Sequence, residues 1–591
     1  MKKLKNIQSA VGMNGGHSRL SLDQPMITSA KIGQIFPIYH EALIPGDHVK
    51  VNTSVFSRFA PLAVPSYVHL NLRTMTLFVP YHQLSDGCES FFSNQDKFHG
   101  KYNHIPILKF STLSGFFETV GMSTSTGATA QSHDLAFLVK TGTPVYKNLT
   151  PKGNYIMKIL RGLGYAVGKQ MFANGTSSDM KSDYDWDMNA LPLLAFCHGY
   201  NSYMSYSPHT NTSALSTTLE DIKRQSSANG YSLTTTDLNI LLSDILLTYD
   251  DNLFTMAWEQ PYGNQQYSST QGFNQLSMYT PIGNRTIGQS VTWDGQMGAE
   301  TGFQGLQTDM NAAQIRLVMK FDDFFRRSQY AGSKDIEQIY SRLGVKIDDF
   351  RCRYPYFLRE TTEAVSIGDV TSTSDTAVTS GGNVTGGALG SYAGKAISDG
   401  GTGFEFDCHD YGMLITYAWY APVVQYYNGF DKEVLRTQPL EFYQPEFDQG
   451  FADSLLNLEL RGSDMWVNDA GNNPVTANRG YVPLYSQYLF GRQYITGDFR
   501  RFAAFDAWHF GRDVLSQSLP AQNASLVYMP NIGTEYERIF NIVDPSLQDA
   551  DTIYIDVYNS VSASRPMKDY TGKVGLGDGD IDVGMNGSQL N

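Results

Sequence analysis

Charged residues are scarce in this chain of 591 residues, at 17%, and the acids outnumber the bases by 58 to 44, for a formal charge of −14. A free-standing nucleic-acid binder needs a basic balance to neutralise phosphates, so the whole chain does not read as one. Only the opening "MKKLK" gathers cations, and Lys2, Lys3 and Lys5 there read as a solvated terminus. Cysteine is rarer still. Cys88, Cys197, Cys352 and Cys408 lie far apart with no CxxC pair, which excludes a zinc ribbon and argues against a disulfide scaffold. They read as reduced, buried, small apolar residues. Long hydrophobic runs are missing too. No apolar stretch follows the opening lysines, so no signal peptide is expected. "YGMLITYAWYAPVV" (411–424) is too short, and too broken by Gly412 and Pro422, to span a bilayer. The expected setting is reducing and soluble, away from membranes.

What the chain has in abundance is aromatic rings: 36 Tyr, 33 Phe and 6 Trp, or 13% of all residues. Rings favour strands and large contact surfaces, because each buries much area at little rotamer cost. With 54 glycines and many Ser/Thr/Asn runs, the profile is β-rich with long loops. Length alone allows several domains, although an all-β architecture with insertions still counts as one.

Strand signals are spread over the whole chain. In "VFSRFAPLAVPSYVHLNLRTMTLFVPYHQL" (55–84), Val68, Leu70 and Leu72 alternate with His69, Asn71 and Arg73. The apolar parity then switches to Met75, Leu77 and Val79, implying either a bulge near Arg73–Thr74 or burial on both faces beyond it. The prolines read as guards of an edge, with Pro80 ending the strand. "GFEFDCH" (403–409) and the run Met413–Tyr420 alternate on either side of the Asp410–Gly412 turn and read as a hairpin. "TIYIDVYNSV" (552–561) alternates as well. Strands near both ends require a sheet closed by distant partners.

Helical spacing appears mainly in the middle. Leu238, Leu241, Leu242 and Ile245 make one stripe with Thr236 as N-cap, and 311–327 is a longer candidate around Ile315, Val318 and Met319. "SKDIEQIYSRLG" puts Ile336, Ile339, Tyr340 and Leu343 on one stripe, capped by Ser333 and ended by Gly344. Residues 121–133, 205–217, 262–305, 361–403 and 467–480 read as long loops, and no internal repeat is present.

Motifs with catalytic or binding chemistry fail on their details. "RGLGYAVG" has Gly162 and Gly164 but Val167 where a dinucleotide fingerprint needs its third glycine. Gly394–Lys395 mimics the end of a phosphate loop, yet Leu389 stands at the first glycine position and Ala396 cannot ligand magnesium. Asp183, Asp185 and Asp187 open like a calcium loop, but Met188 and Leu194 replace its turn glycine and closing Glu. The readings left are an irregular calcium site at a subunit contact or a solvated acidic turn. Asp578, Asp580 and Asp582 have the same opening spacing and no closing Glu. "CHD" (408–410) reads as core Cys408 beside surface His409. The 12 histidines form no triad signature. No catalytic, cofactor-binding or metal residue is assigned.

The quoted early stretch has a further meaning. "HEALIPGDHVKVNTSVFSRFAPLAVPSYVHLNLRTMTLFVPYHQL" (40–84) resembles the N-terminal segment of the major capsid proteins of the Microviridae, most strongly of the gokushovirus-like branches. The blocks that carry this are Pro45–Asp47, Phe56–Pro65 and Phe78–Tyr81. Later blocks follow in order: 189–204, 250–264, 314–345, 389–422, "EFYQPEFDQG" (441–450), "GYVPLYSQYLFGRQYITGDFRR" (480–501), "WHF" (508–510), "ERIFNI" (537–542) and "SRPMKDY" (564–570). The near-miss phosphate loop falls inside one of them, which makes it a structural turn. Tyr200, Tyr203 and Tyr206 replace the family's Trp and Arg, and "RCRYPYFLRE" (351–360) keeps only a Pro–aromatic echo, so this chain is a divergent branch.

The resemblance implies a mainly β protein, an eight-stranded antiparallel jelly roll with long, partly helical insertions. The expected division is an N-terminal arm (1–35), one capsid domain (36–570) with insertions at about 100–190, 205–310, 361–403 and 455–480, and a tail (571–591). It implies a non-enzymatic subunit that forms pentamers and a T=1 shell around circular single-stranded DNA. The implied partners are other copies of itself, a small basic packaging protein, vertex and pilot proteins, and a host surface receptor met by an outer protrusion within 205–310. Its place is the virion, assembled in the host cytoplasm, with no cofactor. Rival readings are a β-sandwich glycan-binding or glycan-hydrolysing protein, whose acidic pairs and aromatic loops would suit sugars, and a minor spike protein of the same phages.

Overall fold

The computed structural model describes residues 18–93, 104–117, 187–204, 213–224, 231–243, 354–371 and 550–566, most of 122–166, 392–456 and 478–512, and shorter pieces around 340, 380 and 540. Ten strands form its centre: β1 (Ser18–Ser21), β2 (Gln24–Ala30), β3 (Phe36–Leu43), β4 (His48–Phe59), β5 (Leu70–Pro80), β6 (Tyr356–Ala364), β7 (Ser366–Thr371), β8 (Tyr392–Asp407), β9 (Gly412–Pro422) and β10 (Ile553–Arg565). One antiparallel sheet runs β1-β10-β4-β8-β7, with β2 beside β1 on the same edge of β10; the other runs β6-β5-β9-β3. The architecture is mainly β and antiparallel, as expected, and these ten strands form two facing sheets with no closed barrel among the described residues.

The larger sheet follows from period-two patterning. In β4 Val49, Val51, Thr53 and Val55 point inward, while His48, Lys50, Asn52 and Ser54 are exposed. β10 alternates in the same way, so the two pair in register from Ile553↔Phe59 to Ser564↔His48. The inner face carries one polar device. Thr53 Oγ1 donates to Asn559 Oδ1 at 2.7 Å, and Asn559 Nδ2 donates to the Ile38 carbonyl at 3.0 Å, which ties the two sheets together. The expectation that strands at the two ends close one sheet is met by β1, β2 and β4 on β10.

β5 lies between β6 and β9, so it is a central strand, and its prolines guard its two ends instead of an edge. The parity switch has the second of its two readings. Pairing with β9 runs without a shift from Leu70↔Pro422 to Pro80↔Gly412, and from Thr74 onward every residue is buried. The register shift lies in the partner strand, between Phe357 and Arg359. Leu70, Leu72 and Phe78 face the other sheet; Met75, Leu77 and Val79 face a layer of helices on the opposite side. All eleven residues of β9 are buried for the same reason.

The expected hairpin of 403–409 with 413–420 does not form. β8 pairs with β4 and β7, β9 with β5 and β3, so the chain turns a corner from one sheet into the other. Alternation within each strand is right, but β8 has an exposed face and β9 has none, and strands with such different burial belong to different layers. The corner is held by the turn before β4. There Gly46, at φ 94°, donates to the Cys408 carbonyl at 2.8 Å, and Cys408 N donates to the Asp47 carbonyl at 2.8 Å. Arg565 reaches the same turn, pairing with Glu41 at 2.6 Å and Asp47 at 3.3 Å.

The helical layer contains α1 (Phe110–Phe116), α2 (Pro151–Gly162), α3 (Leu191–Tyr203), α4 (Ser213–Arg224) and α5 (Thr235–Ser243). Tyr417 of β9 donates to the Phe196 carbonyl of α3 at 2.9 Å, and Tyr155 of α2 donates to the Ile35 carbonyl at 2.6 Å. Leu238, Leu241 and Leu242 are buried as expected, but the cap of α5 is Thr234, whose Oγ1 accepts from Asp237 N while Asp237 accepts from Thr234 N. Ile245, residues 311–327, Ser333 and Ile336 lie outside the described residues. Gly344 ends its helix at φ 68°, whereas Tyr340 and Leu343 are exposed and form no buried stripe. Lys158 of α2 is buried, which pushes its pKa down, and it is held by Asp551 at 2.8 Å, Gln34 at 3.0 Å and the Ser29 carbonyl at 3.2 Å.

Two predictions follow from this packing. A Cβ on Gly412 would sit 2.5 Å from the Phe78 ring and 2.7 Å from the Val79 carbonyl. Gly412→Ala should therefore cost about 1–3 kcal/mol in urea denaturation; an unchanged midpoint would count against the tight corner. His198 of α3, whose ring contacts Gln83, has its pKa pushed down to about 4, first by burial and then by the charge of Lys223. Its folded value lies below its unfolded value of about 6.5, so the unfolded chain binds the proton more tightly, and stability is kept above that value and lost as pH falls toward 4. His198→Gln should flatten this acid loss, by an amount of up to ~3 kcal/mol between pH 7 and 4.

Candidate assembly surface

The near-miss motifs have structural places. Gly162 closes α2 against Pro37, and Gly164 follows at φ 90°, so the two are a helix terminus rather than a dinucleotide turn. Gly394 and Lys395 lie within β8, paired with Asp369 and Gly368 of β7, so the expected structural turn is extended strand. Cys408 is buried and His409 exposed, as read. Asp187 sits in a short strand paired with 107–109, while Asp183, Asp185, Asp578, Asp580 and Asp582 lie outside the described residues.

Chemistry at these positions is muted. Burial raises the thiol of Cys88 to about 12 and that of Cys408 to about 11, and moves Cys197 in the same direction, which removes the thiolate a nucleophile needs. A crevice between β6 and β8, lined by Val55, Leu72, Thr74, Thr361, Glu363 and Thr402, carries one carboxylate. Glu363 Oε1 accepts from Gly401 N at 2.8 Å. Among the described residues, no group of three or more His, Cys, Asp or Glu side chains could hold a metal ion, and no helix is long and apolar enough to cross a membrane.

Distant blocks meet instead on one side of the sandwich. The segment after β4, Ala60–Tyr67, is held by backbone bonds: Ala60 N to Thr552 O at 2.7 Å, Ala63 N to Ile539 O at 2.8 Å, and Tyr67 N to Trp508 O at 2.8 Å. Asn541 N returns a bond to the Pro61 carbonyl at 2.8 Å. Prolines suit this path, because Pro61 and Pro65 bring no N–H that would need a partner where Ala60, Leu62 and Ser66 are buried. Around it stand rings: Tyr67 against Trp508 at 5.6 Å and Phe499 at 6.1 Å, and Phe499 against Phe505 at 5.5 Å.

His509 fixes the turn beneath these rings. Its Nδ1 accepts from Gly511 N at 3.1 Å and its Nε2 donates to the Phe499 carbonyl at 3.1 Å, the pattern of a neutral ring. Burial is the main cause of its lowered pKa. Arg538 then donates to the carbonyls of His509 at 2.8 Å and Gly511 at 2.6 Å. A second cluster adjoins in sequence. Tyr443 packs on Tyr485 at 5.2 Å, and the Arg436 guanidinium lies 5.3 Å from the Tyr488 ring and 5.9 Å from that of Phe442.

A profile of the family described as "Capsid protein (F protein)" matches residues 12–157 and 164–574, nearly the whole chain. The chain belongs to this capsid protein family. The capsid protein VP1 of Bdellovibrio phage phiMH2K is 24% identical over 557 residues, covering 91% of this chain and 92% of the relative. The capsid protein VP1 of Chlamydia phage 1 is 23% identical over 261 residues, 44% of this chain and 41% of the relative. The family expected from the motif blocks is thus the one found, and the chain is a structural capsid protein. As a capsid protein it self-assembles, and its functional site is a surface.

That surface was only partly visible to sequence reasoning. The blocks 441–450, 480–501, 508–510 and 537–542 were singled out, but nothing in their spacing says that they gather beside Ala60–Tyr67. The overlooked signal is the density of Tyr and Phe in stretches without strand or helix periodicity. Arg538→Ala should leave two carbonyls unpaired and cost roughly 1.5–3 kcal/mol in urea denaturation. A loss under about 0.5 kcal/mol would mean that the turn is held without it.

Proposed function

We propose that this chain is the major subunit of a small T=1 icosahedral shell that encloses circular single-stranded phage DNA, with pentamers as intermediates. The observation that carries the reading is the family match over nearly the whole chain joined to a two-sheet body. The finer fold reading, an eight-stranded jelly roll, is supported by β3–β10. These eight divide four and four between the sheets, and the chain crosses from sheet to sheet five times along them. β1 and β2 then belong to an N-terminal arm (1–35) laid along β10, 36–570 to the single capsid domain with its insertions, and 571–591 to a tail.

A closed shell multiplies modest contacts by symmetry, so each contact stays weak enough to correct errors while the whole is stable. At −14 per subunit, the wall alone does not neutralise a genome. A small basic packaging protein therefore supplies cations, scattered Arg and aromatic side chains on the inner wall bind DNA with little sequence preference, and vertex and pilot proteins complete the virion. The outer protrusion that meets a host receptor comes from within 205–310, assembly takes place in the host cytoplasm, and no reaction is catalysed. Electron microscopy of the expressed protein should show uniform small icosahedra of about 3.9 MDa, given sixty subunits of 65.8 kDa. A stable monomer that hydrolyses a polysaccharide would contradict this reading.

A further inference from the structure

Shell building requires each subunit to present apolar surface that a neighbour covers, and the most exposed group of such residues lies on segments 431–445 and 485–494, whereas Phe91, Phe92 and Tyr411 form a smaller, less exposed cluster elsewhere. Val434, Phe442, Tyr443, Tyr488, Leu489 and Tyr494 are between 48% and 69% exposed, although they are large hydrophobic or aromatic residues. Scattered exposed rings are ordinary, whereas a contiguous patch of this kind marks a binding face. The larger sheet's outer face offers a contrast. There Ile27, Tyr554 and Tyr558 are interrupted by serines and by the ion pair of Lys50 with Glu405.

The patch is organised before any partner arrives. Tyr494 donates to Asp431 at 2.6 Å, Arg436 donates to the Tyr488 hydroxyl at 3.1 Å, and Gln444 N donates to the Tyr485 hydroxyl at 3.1 Å. These bonds clamp segment 431–445 onto segment 485–494. Tyr485, beneath them, is buried and holds a left-handed φ of 65°, which costs a non-glycine residue about 1 kcal/mol and is maintained by its surroundings. Rings fixed in this way lose little further freedom on binding.

Charge decides the kind of occupant. Among the described residues, segments 431–445 and 485–502 carry four carboxylates (Asp431, Glu433, Glu441, Asp498) against four cations (Lys432, Arg436, Arg500, Arg501), an even mixture. A face for nucleic acid would show a clear excess of cations, whereas interspersed signs around aromatic and Arg anchors are the make-up of a protein interface. We infer that the surface built by 431–445 and 485–502 is the docking face for a second copy of this chain within the shell. This rests on the capsid reading.

Hydroxyl-radical footprinting tests it on assembled particles, on empty shells and on dissociated subunits. Tyr443, Tyr488 and Tyr494 should be protected roughly tenfold in both kinds of particle relative to free subunits, as buried anchors are. Equal labelling in particles and subunits overturns the assignment, and protection only in DNA-filled particles moves the surface to nucleic acid and overturns it too. Separately, Tyr488→Asp with Leu489→Asp should raise the concentration needed for assembly by about tenfold or more while the melting temperature of the subunit is kept. Wild-type assembly by a folded variant contradicts the inference. Should that variant fail to fold, footprinting of the unaltered chain decides. Total failure of the unaltered chain to assemble would instead refute the capsid reading, and this inference with it.

Discussion

Everything in this fold depends on β10 lying between β4 and the pair β1 and β2. The pairing joins residues some 500 positions apart in sequence, with Val557 opposite both Val55 and Met26. Loop closure over such a distance costs entropy before any contact rewards it. The return comes from a buried ladder of Ile553, Ile555, Val557, Val561 and Ala563, and from Asn559, whose amide reaches across to β3. Because both ends of the described chain meet in one sheet, the segments that join the strands between β5 and β10 are free to vary in length without opening the body. That is how one sandwich supports insertions larger than itself.

The second sheet has a different task. Buried on one side by the larger sheet and on the other by helices, β5 and β9 are a rigid central slab, and their polar residues must be satisfied internally, as Thr76 and Thr416 are with each other at 3.0 Å. Capsid subunits benefit from such a body, since small angular errors at each contact accumulate around a closed surface. Rigidity also lets the loops do the recognition. The aromatic segments at 431–445 and 485–510 have little regular structure of their own; the second is positioned by the Tyr67–Trp508 backbone bond and the His509–Arg538 turn, and the first is clamped to it through Arg436, Gln444 and Asp431.

Much of this was legible in sequence, and the misses have physical reasons. Period-two alternation identified β5, β9, β10 and the end of β8, because each strand's inner face must be apolar, whereas β4 went unread and 361–403, read as a loop, holds the end of β6, all of β7 and most of β8. It could not say which strands share a sheet: the corner at Cys408–Gly412 and a hairpin turn use the same small residues, and only the double burial of β9 separates them. α2 was not read from the sequence although Thr150 caps it through Gly153 N at 3.0 Å and Pro151 opens it, and Tyr155, Ile156, Ile159 and Leu160 have helical spacing. Exposed Tyr340 and Leu343 show the converse limit, since helical spacing reports a stripe but not what covers it.

Native-state hydrogen exchange of the isolated subunit tests the dependence on β10 most directly. If closure by the C-terminal strand holds the body together, the amides of β10 and β4 should exchange in one slow group with those of β5 and β9, at the rate of global unfolding. Exchange in β10 orders of magnitude faster than in β5 and β9 would contradict the account, because the two sheets would then stand without the strand said to close them.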